Sequence, residues 1–253
     1  MEYELVETEL RNFLQNASDK FDFSYEIINI RKFMRDVFNR DGDLLSNFSN
    51  IEKIYIDKYT NPKKRIQWMA GRYAGKKALK KIIPIVDNKS DPGCVGFNQI
   101  SILSGLNSAP YIKEYPHLNI SISHSYPYCI TVVSKHLLGV DIENTISIAE
   151  PMLKHFYTAN EINEINRMKI SGDIVKLNNK ENECKANCLS TIYWTRKEAI
   201  SKLQKCGMNL DFREIDTVFD VTKLKGVPIE NVRTVSIQNI YCSLSLAFEE
   251  RFD

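Results

Sequence analysis

Asp141 and Glu143 stand two residues apart in Gly139-Val140-Asp141-Ile142-Glu143, where apolar and acidic residues alternate. In a strand the two acids share one face, while Val140 and Ile142 anchor the other in a core beside side-chain-free Gly139. Adjacent carboxylates repel, which is tolerable mainly when a cation sits between them. Further along, Trp194-Thr195-Arg196-Lys197-Glu198-Ala199-Ile200-Ser201-Lys202 reads as a helix start. Glu198 and Lys202, at i and i+4, share a face there, and Trp194 would seat the turn against a sheet. A lone Asp-x-Glu is usually a polar strand face, and a lone Lys-Glu is usually a solvated pair. Together, Asp141, Glu143 and Glu198 offer three hard oxygen ligands for Mg²⁺, which takes one or two carboxylates plus waters and substrate phosphates. Lys197 and Lys202 would meet the phosphate charge left over. The chemistry implied is metal-assisted phosphoryl-type transfer, with Glu198, Lys197 and Lys202 as catalytic candidates.

Two further groups suit an anion. In Ser121-Ile122-Ser123-His124-Ser125, the apolar Ile120 and Ile122 face a core, leaving Ser121 and Ser123 opposite and His124 at the strand end. A Ser-His hydrolase is disfavoured: no Gly-x-Ser-x-Gly elbow is present, and neighbours on a strand point apart. Donors at a strand end suit phosphate better. In Gly71-Arg72-Tyr73-Ala74-Gly75-Lys76-Lys77, Arg72 and Lys76 are spaced to reach one anion from a helix. The planar fork of Arg matches a terminal phosphate, whereas the glycine spacing fails the Walker pattern.

The elements that would hold these groups follow from the apolar spacing. Residues 24–30 read as a strand. Arg65 to Ile83 repeats apolar residues every three or four positions, an amphipathic helix expected to stop before Pro84. Residues 87–96 are rich in turn formers. Strands are expected at 99–103, 118–123, 128–134 and 138–143, the last two as a hairpin around Lys135-His136. Pro151 opens a helix, and Thr158 with Glu161 forms a capping box for a helix over 159–168. The Asn-, Lys- and Glu-rich stretch 170–188 reads as a solvated insertion or flexible loop. The Lys197-Glu198 helix should run to about Lys205 and close at Gly207, before strands at 232–238 and 240–248. Each half is then one long helix plus antiparallel strands, divided as 1–137 and 138–253; no internal repeat is visible.

Composition narrows the class. At 253 residues and 43% hydrophobic, the chain can build a full core. A net charge of +2 argues against a broad nucleic-acid footprint. Cys184 and Cys188 lack a second pair or a nearby histidine, so a zinc site is disfavoured. The N-terminus lacks a signal-peptide pattern, and no apolar run nears the ~18 residues of a membrane span. The expectation is a cytoplasmic protein with no nucleic-acid partner and no membrane association.

These motifs resemble the 4′-phosphopantetheinyl transferases of the surfactin-synthetase-associated type. That family carries a Gly-Val/Ile-Asp-x-Glu strand and a Trp/Phe-x-x-Lys-Glu-Ala/Ser-x-x-Lys helix, matched here by Gly139 to Glu143 and Trp194 to Lys202. Its Ser-His-Ser element matches Ser123-His124-Ser125, and its Gly-Arg-x-x-x-Lys/Arg helix matches Gly71, Arg72 and Lys76. The resemblance implies an α+β pseudo-dimer of two similar lobes, with coenzyme A in the cleft between them. It implies Mg²⁺ on Asp141, Glu143 and Glu198, with the coenzyme held by Arg72, Lys76, Ser123, His124, Asp141 and Lys202. The implied reaction moves the phosphopantetheine arm of coenzyme A onto a serine of an acyl or peptidyl carrier protein, releasing adenosine 3′,5′-bisphosphate. Two lobes in one chain would complete the cleft without a second subunit, so a monomer is expected. Glu198 or a water on the metal could take the serine proton; the residues do not choose. The alternative is a non-catalytic module that binds coenzyme A or a carrier. Two departures stand out. Ser108-Ala109-Pro110 replaces a Gly-Lys-Pro element, and 52 residues separate Asp141 from Trp194, more than is usual in the family.

Overall fold

The computed structural model describes residues 2–38, 44–87, 95–170, 179–218, 221–224 and 227–249. The first half runs α1 (Glu2–Phe21), β1 (Phe23–Asn29), α2 (Ile30–Phe38), α3 (Asn50–Lys58), α4 (Pro62–Asp87), β2 (Ile102–Ser104), β3 (Pro110–Ile112), β4 (Asn119–Ser125) and β5 (Tyr128–Ser134). The second runs β6 (Leu138–Asn144), α5 (Glu150–Phe156), α6 (Ala159–Ile170), α7 (Asn179–Leu203), β7 (Ile215–Asp216), β8 (Val221–Leu224), β9 (Val227–Gln238) and β10 (Cys242–Glu249). Helices and antiparallel sheets mix throughout, an α+β fold. One sheet has the order β1-β5-β4, a second β6-β10-β9-β8-β7, and β2 pairs β3 separately.

Alternation along the strands sorts the side chains. Tyr128, Ile130 and Val132 of β5 face the same core as Val140 and Ile142 of β6 and Leu244 and Leu246 of β10. Leu10 and Leu14 of α1 cover that core, so it is shared by both sheets. The opposite residues of the first sheet, Cys129 and Val133, pack on the α4 side. Ala247 of β10 faces α7, alongside Ala199 and Leu203.

Two glycines allow close packing. A Cβ on Gly139 would lie 1.9 Å from the Ala199 carbonyl oxygen and 2.7 Å from the Leu203 nitrogen, so α7 lies directly on β6. On α4, a Cβ on Gly75 would lie 2.6 Å from Ile102 Cδ1. Both helices are thereby held tight against the strands beneath them.

Several expectations need correction. β5 and β6 do not form a hairpin: β6 pairs with β10, and the chain crosses between sheets at 135–137. The outward amides of β6 meet side chains instead of a strand. Val140, Ile142 and Asn144 donate their N–H groups to the hydroxyls of Ser121, Ser123 and Ser125 at 3.0, 3.2 and 3.0 Å. The long helix of the first half runs through Pro84 to Asp87, since a proline near the last turn removes a single backbone hydrogen bond. Of the stretch 170–188 read as a loop, 179–188 is the first part of α7, with Ala186 and Cys188 buried. Residues 171–178 lie outside the described residues, as does most of the turn-rich stretch 87–96. α7 ends at Leu203, and the left-handed turn begins at Lys205 (φ 55°), two residues before left-handed Gly207. The strand expected at 99–103 is a 3₁₀ turn at Phe97–Gln99 followed by β2. The Thr158–Glu161 capping box is present.

Candidate active site

Tight packing at Gly139 brings the acidic face of β6 beside the Glu198 face of α7. Asp141, Glu143, Glu198 and Lys202 all line one cleft of about 580 Å³. Its other wall comes from the first half: Arg72 with Trp68 and Lys64 from α4, then Ser123 and His124 from β4.

Asp141 is nearly fully buried and organises the floor. Its Oδ1 accepts from Ser123 Oγ at 2.7 Å and from Lys202 Nζ at 2.6 Å. Its Oδ2 is buried and has no hydrogen-bond partner among the described residues. Ser125 Oγ donates to Glu143 Oε2 at 3.1 Å. Ser123 and Ser125 thus each accept from a β6 amide and donate to the acid one residue earlier. The Ser123 hydroxyl is engaged with β6, while the residue itself lines the cleft.

Electrostatics follow from this crowding. Burial, and then the neighbouring charge of Asp141, pushes Glu143 up to about 7. Glu198 is raised by the same two causes in the same order. Burial is also the main reason Arg72 falls to about 10. Its guanidinium lies 4.4 Å from the Trp68 ring centroid, donates to the Ile102 carbonyl at 3.3 Å and reaches Ser104 Oγ at 2.9 Å.

The fit to a divalent ion turns on the donor set. Among the described residues no group of three His, Cys, Asp or Glu side chains is placed to hold a metal ion. Mg²⁺ does not need such a group, because it keeps several waters and binds through one or two carboxylates plus substrate phosphates. Hard oxygens on one wall, an unpartnered buried Oδ2 and a carboxylate forced toward neutrality fit such an ion. In this structure the cation held by Asp141 is the Lys202 ammonium.

Two expected site residues lie elsewhere. Lys197 does not line the cleft: its fully buried ammonium pairs with Glu161 Oε2 at 2.6 Å. Lys76 is likewise buried and pairs with Glu52, so it does not join Arg72 at an anion. Sequence reasoning passed over Tyr59, Lys64, Gln67 and Trp68, which also line the cleft. Their signal was position: Gln67 and Trp68 lie about one helical turn before Arg72 on the same helix.

Comparison with known proteins settles the family. The family model of the 4′-phosphopantetheinyl transferase superfamily matches residues 137–235. The chain is 32% identical over 114 residues to the holo-[acyl-carrier-protein] synthase of Onion yellows phytoplasma (strain OY-M), covering 43% of this chain and 85% of that protein. The chain belongs to the 4′-phosphopantetheinyl transferase superfamily. By class it is therefore a transferase enzyme. Solved structures of the superfamily are more distant. One is the complex of a Chronobacterium ammoniagenes holo-[acyl-carrier-protein] synthase with coenzyme A, at 19% identity and TM-score 0.37 over 44% of this chain and 92% of that one. The Helicobacter pylori enzyme, also in complex with coenzyme A, is 23% identical with TM-score 0.34, over 44% and 97%. In each case less than half of this chain accounts for most of the relative.

Proposed function

We propose that the chain transfers the 4′-phosphopantetheine arm of coenzyme A to a serine of an acyl or peptidyl carrier protein, releasing adenosine 3′,5′-bisphosphate. The observation that carries this reading is the cleft itself, where three carboxylates, Lys202, His124 and Arg72 share one space. Asp141, Glu143 and Glu198 would hold Mg²⁺. When bound, the ion would offset charge on the pyrophosphate. Transfer forms a bond from the carrier serine oxygen to the pantetheine-side phosphorus and breaks that phosphorus's bond to the bridging oxygen. Glu198, lining the cleft beside Asp141, would take the serine proton. Lys202 and His124 would face the leaving phosphate, and such pre-placed charge often supplies the largest share of a rate enhancement. Arg72 would meet the nucleotide end of coenzyme A.

The same reading takes the chain as a pseudo-dimer of the surfactin-synthetase-associated type, with lobes at 1–137 and 138–253. The family model matches within the second half, and 43% of this chain spans 85% of the phytoplasma relative. The first half carries its own long helix, with a buried lysine paired to a capping glutamate as in the second. Both walls of the cleft come from one chain, so a monomer suffices. The test is incubation with coenzyme A, Mg²⁺ and an apo carrier protein, read by intact mass. A mass gain of one phosphopantetheine arm supports transfer. Coenzyme binding without gain overturns it in favour of a binding module.

A further inference from the structure

Each long helix holds a lysine whose side chain is 0% exposed. The partners of the two match atom for atom. Lys197 Nζ meets Glu161 Oε2 and donates to the carbonyls of Phe156 and Phe212 at 2.9 and 2.6 Å. Lys76 Nζ meets Glu52 Oε2 and donates to the carbonyls of Asn47 and Phe97 at 2.8 and 2.9 Å. Both glutamates close capping boxes: Oε2 accepts from Thr158 N or Ser49 N, each at 2.9 Å. Both Oε1 atoms accept from a distant backbone amide, Thr217 or Ile102, at 3.0 Å. Each ammonium also lies 5.3 Å from an aromatic ring centroid, Tyr157 or Phe48. That ring belongs to the residue just before the cap in both cases.

We infer that Lys197 is a positioning residue, one that aims Glu198 and never meets substrate. Its ammonium ties α7 to the carbonyl that ends α5, to the glutamate that caps α6 and to the segment at Phe212. Neighbouring helical residues point about 100° apart, so locking Lys197 inward turns Glu198 outward to the cleft. Lys76 anchors α4 in the same way one turn after Arg72. The burial is complete and every lysine proton has a partner, which leaves no proton to exchange with a carrier serine.

The activity readouts rest on the transfer reading; the labelling readout below does not. The test compares Lys197→Met with the double variant K197M/E161Q. Lys197→Met alone strands a buried carboxylate, and breaking a buried pair is strongly destabilising, while neutralising both partners is far better tolerated. The single variant should lose about tenfold or more in kcat and fall in thermal midpoint, and the double should recover most of both. KM for coenzyme A should stay near wild type, because Lys197 touches no ligand. A folded double variant with a normal thermal midpoint but ~100-fold lower kcat would overturn the inference. Amine acylation of the wild-type protein followed by peptide mass analysis decides independently of folding. Lys197 should stay unmodified with and without coenzyme A, while Lys202 is modified and then protected by it. Modification of Lys197 that coenzyme A suppresses would overturn the inference. Failure of the wild type to transfer at all would sink the transfer reading but leave the labelling outcome, and what it says of Lys197, intact.

Discussion

Ser123 Oγ lies 2.7 Å from Asp141 Oδ1 while accepting the Ile142 amide, so one hydroxyl fixes both the backbone and the acid of the same strand. Ser123→Ala leaves a buried amide unsatisfied and leaves Asp141 Oδ1 held by Lys202 alone. The expected cost is about 1–3 kcal/mol of stability, with weaker divalent-ion binding. Urea denaturation and Mg²⁺ titration check both, and an unchanged midpoint would contradict the bridging role.

Gly139→Ala drives a methyl group into the Ala199 carbonyl, 1.9 Å away. The backbone of α7 has to shift, carrying Glu198 and Lys202 away from Asp141. Destabilisation of about 3 kcal/mol or more is expected, measured by denaturant unfolding, together with loss of transfer.

The acids of the cleft set a pH dependence. Glu143 is near 7 and Glu198 is raised, so the folded protein keeps protons that the unfolded chain, with carboxyls near about 4.3, has released. Stability from these groups is full below the unfolded value and lost as pH rises through about 7. An ion among the carboxylates offsets that loss, but it must displace the protons first. The thermal shift caused by Mg²⁺ should therefore be small near about pH 6 and larger near about pH 8. Differential scanning fluorimetry across that range checks it; a shift that shrinks with rising pH would refute it.

Lys202→Met removes the cation that Asp141 holds at 2.6 Å. The variant should fold less stably without metal, gain more stability from Mg²⁺ than wild type does, and transfer at least ~100-fold more slowly. Calorimetry with and without Mg²⁺ and a transfer assay read these separately.

Much of this arrangement was legible in the residues. The period-2 alternation of 138–143 marked Asp141 and Glu143 as one face, and the i, i+4 spacing marked Glu198 with Lys202; both pairs reach the same cleft. Other parts were hidden for physical reasons. A lysine is expected in solvent, so the burial of Lys76 and Lys197 could not be read, although Ser49-x-x-Glu52 and Thr158-x-x-Glu161 announce their partners. Residues 179–188 are so polar that their helical period is masked until Ala186 and Cys188 are seen to be buried. α1 was readable and overlooked: Val6, Leu10, Leu14 and Ala17 recur every three or four residues. The hairpin at 135–136 failed because adjacency in sequence does not reveal that serine hydroxyls cap the β6 edge.

The central claim is that Asp141, Glu143 and Glu198 share one divalent ion. Titration with Mn²⁺ in the presence of coenzyme A, followed by electron paramagnetic resonance, tests it most directly. Wild type should bind a single tight ion, and D141N, E143Q and E198Q should each weaken it about tenfold or more while remaining folded. Undiminished binding in any of the three folded variants would contradict the claim.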